Sequence, residues 1–331
     1  MLKIAVDMGT SVTKMFRLGS GVVLSEPSCV AIDAPTGKIK AIGAEAKRLV
    51  GKTAEYTKTV FPVYEGEIVD RKAAVAMLDE FLCKIGVKSG RYRAEVLFCV
   101  PCGASEKAKS AVYNVCDELG ISRIDFVEAP YLSALGQNLP VSDSNPVFVM
   151  DIGAGTTNIA VISLDGIIAG LSVNVGGSNM DAHIIDTIAE TFALKIGQQT
   201  SERLKNTVGS LEAGDERKTV IDGRDMATGR PRSVSVRSAD IVFPVQAYID
   251  KILEYAERLL QKLPAEVSAG ICRSGVHLSG GVCNVAGVAD YIGERLGMEA
   301  HTAEEPQMAI VLGGGAAIGN PSVLKKIKLD F

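Results

Sequence analysis

The chain has 331 residues and a mass of 34.9 kDa, long enough for two domains of ordinary size. Hydrophobic residues make up 47% and charged residues 22%, which excludes a disordered or collagen-like chain. The 35 Lys and Arg against 39 Asp and Glu give a net charge of −4, and Trp is absent, so neither a basic nucleic-acid face nor a stacking platform for single strands is expected.

In chain order, MLKIAVDMGT starts an apolar strand that Asp7 interrupts within a few residues, so there is no signal-peptide core. Residues 3–18 read as a β-hairpin around a Gly- and Thr-rich turn. Residues of about 30–66, with mixed charge and turn residues, read as a small insertion. Helical spacing runs from Asp70 to Ile85; then 95–101 is a buried strand, 105–120 a helix closed by Gly120, and 123–130 a strand leading into a helix. Residues 147–164, VFVMDIGAGTTNIAVISL, repeat the first hairpin, with Asp151 in the place of Asp7. A helix is expected over 178–195. An insertion is expected at about 181–240, its polar part 197–240 carrying a hairpin over 219–238. Residues 246–263 place Ile249, Ile252, Leu253, Ala256, Leu259, Leu260 and Leu263 on one helical stripe, the pattern of a helix packed on a sheet. A strand over 275–281 and a helix from near Met308 complete the pattern, and Met308–Gly319 is far short of the ~20 residues that span a bilayer. The duplicated hairpin implies an α/β chain of two similar domains, residues 1–140 and 141–320, followed by a tail, 321–331.

Seven cysteines, an odd number, form no disulfide framework and fit the reducing cytoplasm. Cys99 and Cys102 make a C-x-x-C without a second pair, which reads as two buried small hydrophobes. His183, His277 and His301 are not at metal-ligand spacing.

The chemistry lies in the glycine turns. In Asp-x-Gly-Thr after a buried strand, glycine lets backbone approach a ligand, and N–H and hydroxyl groups can cradle phosphate. An aspartate at the strand end can hold magnesium through its water shell. One such turn is also an ordinary tight hairpin; two matching turns favour a polyphosphate clamp. Two further sites, LSGGVCN (278–284) and NVGGSNMD (174–181), bring glycines to a helix start, where the dipole favours anions. A close helix–strand contact is the other reading of both.

Together these segments resemble the actin/heat-shock-chaperone/sugar-kinase ATPase superfamily, and within it the bacterial actins of the MreB type. SEPSCVAID (25–33), AIGAEAKRLVGKT (41–53), FPVYEGEIVD (61–70) and VGGSNMDAHIID (175–186) follow that family in order, from Leu2 to about Gly319. The resemblance implies an actin-like fold of duplicated ribonuclease H-like domains with a nucleotide cleft between them. It implies ATP and Mg²⁺ as cofactors, polymerisation of the chain with itself into filaments, and a part in cell shape through cell-wall synthesis. It places the chain in the cytoplasm or at the inner face of the cell membrane, with cell-wall elongation proteins as partners and no nucleic acid.

Residue by residue, the resemblance assigns phosphates to Gly9, Thr10, Ser11 and Val12, with Lys14 as a phosphate lysine. Gly153, Ala154, Gly155, Thr156 and Thr157 form the second turn, Thr156 and Thr157 with catalytic roles. Asp7 and Asp151 organise the metal and the catalysis. Gly176 and Gly177 start the helix. Glu202 accepts from ribose, and the stem of Lys205 packs on adenine. Ser279, Gly280, Gly281, Val282 and Cys283 lie near ribose and α-phosphate.

One departure concerns hydrolysis. The family has an acid directly before the proline that starts a helix, where it positions the attacking water. Here Val127-Glu128-Ala129-Pro130 puts Ala129 in that place and Glu128 one residue off, facing elsewhere. Asn158 stands where the family usually has Glu. Slow hydrolysis is expected, unless Asn158, Thr156 or Thr157 orients the water. The competing classes are a small-molecule kinase of the same fold, with Asp181 as its one candidate base, and a chaperone-type ATPase, for whose peptide-binding domain the chain has no room. For membrane contact the loop KSGRYR (88–93) offers Tyr92 between Arg91 and Arg93.

Overall fold

A computed structural model describes residues 2–52, 56–87 and 94–330; the expected membrane loop, 88–93, lies outside them. Two five-stranded sheets carry the architecture, and they are built alike. In the first, Leu2–Met8, Val12–Arg17 and Gly21–Pro27 form an antiparallel meander, and Ala94–Val100 and then Arg123–Glu128 add in parallel on the other side of Leu2–Met8. In the second, Val147–Ile152, Thr157–Ser163 and Gly166–Val173 form the meander, and Val276–Ser279 and Ala300–Thr302 add in parallel. The duplication legible in the two hairpins therefore extends to the whole sheet order.

Burial explains the strand sequences. Every residue of Val147–Ile152 and Thr157–Ser163 is buried, as expected of central strands covered on both faces, whereas Gly166–Val173 alternates towards solvent. The helix Arg71–Lys84 begins where Asp70 accepts a hydrogen bond from the Ala73 amide, and it buries Met77, Leu78, Phe81 and Leu82 in the first core. Residues of the first insertion form a small sheet of Val30–Asp33, Ile39–Ile42 and Thr57–Val60.

Three expectations shift. The helix expected over 178–195 is Gly177–Phe192: Ala193 takes a left-handed conformation (φ 47°), and Leu194–Lys195 pairs with Arg224 and Asp225 as a strand. The polar stretch 197–240 holds a helix, Gln198–Val208, as well as the expected hairpin, Lys218–Asp225 with Pro231–Arg237. The helix expected from 246 begins at Ser238 and continues through Pro244. Proline there removes one early donor, but Ile241, Val245, Ile249 and Ile252 form one unbroken buried stripe whose burial outweighs that loss.

The tail is docked. Pro321–Ile327 is a helix, and beyond it Leu329 N–H donates to Phe126 O at 2.8 Å, Lys328 pairs with Asp125 at 2.9 Å, and Lys109 Nζ donates to Asp330 O at 3.1 Å.

Between the sheets lie two crossing helices, Ala129–Gly136 and Ala309–Gly319. Each packs on the sheet of the other half of the chain: Tyr131, Leu132 and Ala134 join Val147, Val149, Ala160 and Ile162, while Ala317 and Ile318 join Ala5 and Leu97. They touch backbone to backbone. A Cβ on Gly313 would lie 1.8 Å from Leu132 O, and one on Gly136 would lie 1.8 Å from Ala309 O. Gly314 and Gly315 face Ala5 and the Phe16 ring at 2.7 and 2.6 Å. Three consecutive glycines are poor helix formers, at about 1 kcal/mol each relative to alanine, so close approach is what places them here. Gly313→Ala should therefore destabilise the protein by about 3 kcal/mol or more in thermal or urea unfolding, beyond ordinary overpacking. Gly197→Ala, whose Cβ would meet nothing within 4 Å, should cost about 1 kcal/mol or less.

Candidate functional site

The two hairpin turns face each other across one cleft of about 450 Å³. Strand register sets their carboxylates: Asp7 lies opposite Lys14, and Asp151 lies opposite Asn158. The turns are tight. A Cβ on Gly9 would lie 2.8 Å from Val12 O, and Gly153 N–H donates to Thr156 O at 2.9 Å. They also meet, since a Cβ on Gly155 would lie 2.4 Å from Thr10 Oγ1. Gly9, Thr10, Ser11 and Val12 line one wall, and Gly153, Ala154, Gly155 and Thr156 line the other.

A third glycine turn closes the side. Gly280 has φ 90°, and a Cβ there would lie 2.2 Å from Ile152 O, so the strand Val276–Ser279 leaves its sheet through a residue that only glycine can be. Gly281 has nothing within 4 Å of its Cβ direction and is open to the cleft, with Val282 and Asn284 beside it. The helix Gly177–Phe192 behaves differently from the anion site expected at its start. Gly177 and Ser178 N–H groups donate to Gly153 O (3.0 Å) and Ala154 O (2.8 Å), so this N-terminus braces the second turn.

Charge is concentrated at the cleft floor. Lys14 Nζ donates to Asp7 Oδ2 at 3.1 Å. Burial works against the charged lysine, yet the charge and hydrogen bond of Asp7, with Asp151 behind, hold its pKa above the ordinary value. Asp151 is nearly fully buried. Ser279 Oγ donates to its Oδ1 at 2.8 Å and Asn158 Nδ2 reaches Oδ2 at 3.5 Å, but burial and the neighbouring Asp7 push its pKa up to about 6. A buried carboxylate with this donor set, beside a second carboxylate in the same cleft, fits an oxygen-ligated hard cation such as magnesium. Cys99 also lines the cleft; burial raises its thiol well above the ordinary range, so it is no nucleophile at neutral pH.

At the far end the helix Gln198–Val208 presents Glu202, Lys205 and Asn206. Lys205 Nζ is held by Asp181 at 2.9 Å and donates to Gly177 O at 2.9 Å, which leaves its stem on the cleft wall. Asp181, the candidate kinase base, is thereby spent on an ion pair. Glu202 is held across the cleft by Lys47 at 2.8 Å.

Four expected site residues turn away from the cleft lining. Thr157 Oγ1 is buried and donates to Val175 O at 2.7 Å. Gly176 is pressed against Gly153 O and Ala154 O. Ser279 acts through Asp151, and Cys283 donates to Ser279 O at 2.9 Å. Of the three water-orienting candidates, Thr156 remains. Thr157 is committed as described, and the Asn158 amide spans Cys102 N–H (3.0 Å) and Asp151. Ala129 does line the cleft, while Glu128 faces out and accepts from Gly103 N–H at 2.6 Å. The sequence reading missed Asn206, Asn284 and Gln307. Asn206 was findable, because it follows Glu202 by one helical turn; Gln307 sits in a turn with no motif.

The MreB/Mbl protein family matches residues 1–326. Mbl, a cell shape-determining protein of Bacillus subtilis strain 168, is 32% identical over 328 residues, covering 99% of this chain and 98% of its own. The cell shape-determining protein MreB of Escherichia coli K12 is 33% identical over 321 residues, covering 95% and 92%. The crystal structure of Spiroplasma citri MreB 5 bound to AMPPNP superposes with a TM-score of 0.92 at 29% identity, over 98% of both chains. The MamK double helical filament shares the fold, with a TM-score of 0.79 at 20% identity over 96% of this chain and 99% of the MamK chain. The fold is thus the actin-like α/β one that the resemblance implied, and its two halves repeat as the duplicated hairpins implied.

The state of Asp151 can be tested directly. Its folded pKa of about 6 lies above the ordinary 3.8, so the folded protein binds this proton more tightly than the unfolded chain does. Its contribution is then best below about pH 4 and is lost as pH rises through about 6. In the metal-free, nucleotide-free protein, Asp151→Asn should raise stability at neutral pH by about 1–3 kcal/mol and change it little at about pH 4, as read by thermal melts. A lower melting temperature at neutral pH would show the charge to be structural.

Proposed function

This chain belongs to the MreB/Mbl family, and we propose that it binds ATP with Mg²⁺ between its two turns and polymerises with copies of itself. In that role it helps determine cell shape by organising cell-wall synthesis at the inner face of the cell membrane. The observation that carries the nucleotide reading is the pair of matching turns, Gly9–Val12 and Gly153–Thr156, facing each other across one cleft. The solved relative bound to AMPPNP supports it, as does another of the same protein bound to ADP. Relatives named for cell shape support the cell-shape role, and the shared fold of MamK, solved as a filament, is in keeping with polymerisation. Among the described residues no helix is long and apolar enough to cross a membrane.

In this reading residues 1–140 and 141–320 are the two lobes that close on the nucleotide. The N–H groups of the turns, with the Thr10, Ser11 and Thr156 hydroxyls, hold phosphate oxygens, and Lys14 moves charge from Asp7 towards them. Asp7 and Asp151 would hold magnesium through its water shell, and the bound ion neutralises phosphate charge. The Lys205 stem and Val282 form the walls of the nucleoside end, and Glu202 accepts from the ribose hydroxyls. Hydrolysis is slow because Ala129 brings no carboxylate to the water, and phosphoryl transfer depends on positioning and electrostatics.

Sedimentation with ATP, ADP or no nucleotide tests the class. A filament former pellets with ATP and is seen as filaments by electron microscopy; a kinase or chaperone stays in the supernatant. Turnover has its own test. Ala129→Glu should raise single-turnover phosphate release by about 10²-fold without tightening ATP binding, because the acid acts on water in the transition state. Equal rates in wild type and variant, with both assembling, would show that Thr156 suffices.

A further inference from the structure

Glu202 stands at two sites at once. It lines the nucleotide cleft, and with Asn206 it also lines a second hollow at the cleft mouth, together with Lys47. Lys47 comes from the first insertion, on the opposite wall, and engages both carboxylate oxygens of Glu202, at 3.0 Å (Oε1) and 2.8 Å (Oε2). Gln199, one turn earlier on the Glu202 helix, donates to the Lys47 backbone carbonyl. The cleft mouth is therefore bridged by a latch whose acidic half is the carboxylate that faces the nucleoside.

A carboxylate at the sugar end of a nucleotide site accepts hydrogen bonds from ribose hydroxyls. Its two oxygens carry about four lone-pair sites, and an ammonium group that engages both of them takes lone pairs and an orientation that a diol would use. We propose that Lys47 competes with ribose for Glu202 and so sets how strongly the site distinguishes ribonucleotides from nucleotides lacking those hydroxyls. This rests on the nucleotide reading above. The Lys47–Glu202 pair is partly exposed, with about 30% of each side chain accessible, so it is screened and gives way to a better partner. Binding of a ribonucleotide would then loosen the latch, while binding of a dideoxynucleotide would leave it closed.

Calorimetric titration of the full chain with Mg-ATP and with Mg-2′,3′-dideoxyATP tests this in wild type, Lys47→Met and Glu202→Gln. Lys47→Met should tighten ATP binding by about two- to fivefold, the scale of a partly exposed ion pair, and leave dideoxyATP unchanged. Glu202→Gln should lose most of the preference for ATP. If Lys47→Met shifts both nucleotides by the same factor, weakens ATP binding or changes neither, the competition is overturned. It is overturned equally if Glu202→Gln keeps the wild-type preference. Wild type that binds neither nucleotide overturns the nucleotide reading itself, a result distinct from all of these.

Discussion

Everything at the cleft depends on the backbone contact between the helices Ala129–Gly136 and Ala309–Gly319. Each helix starts at the cleft and runs away from it between the sheets, so the spacing of the two sheets is the spacing of this pair. With Gly136 and Gly313 against carbonyl oxygens, the helices pack closer than any side chain would allow. That proximity brings Gly155 within reach of Thr10 and sets the two separate turns across one cleft. It also explains why Ala129 is a cleft residue: the helix that forms half of the crossing begins there, with Pro130 in its first turn.

A second consequence is electrostatic. Bringing the turns together places Asp7, Asp151 and Lys14 in one partly desolvated space. Lys14 offsets one negative charge, and Asp151 bears the cost of the other, softened by Ser279. Ser279 is itself hydrogen-bonded to Ser133 of a crossing helix at 2.7 Å, so the orientation of the Asp151 carboxylate is tied to the same pair of helices. A polar chain of Ser133, Ser279 and Asp151 thus links the crossing helices to the cleft floor.

Much of this was legible in the sequence because the fold repeats. Two strand–turn–strand segments with Asp and Gly at equal places gave the duplication, the facing turns and both carboxylates. Side-chain direction was harder to read. Thr157 and Asn158 are neighbours on a strand, so they must face opposite sides; which one faced the cleft depended on the helix Gly177–Phe192, whose preceding Val175 carbonyl takes the Thr157 hydroxyl. Glycine clusters were ambiguous for a related reason. Gly176 and Gly280 are needed for close backbone contacts, while Gly281 has open space in its Cβ direction and lines the cleft. The start of the long helix at Ser238 was hidden by Pro244, whose local preference yields to the buried stripe on either side of it. Lys47 lies in a segment that follows the family, 41–53, but its pairing could not be read there, since its partner is 155 positions away in sequence.

The docked C-terminal segment bears on how copies of this chain can associate. Arg123–Glu128 is the last strand of the first sheet, and an uncovered last strand offers unpaired N–H and C=O groups to any extended chain that meets it. Leu329, bonded to Phe126 and flanked by Lys328 and Asp330, occupies part of that row, with its side chain against the first core. Growth by adding strand to strand is thereby discouraged along this edge. Removal of the residues from Lys328 onward would uncover the edge and leave its unpaired groups open to β-aggregation.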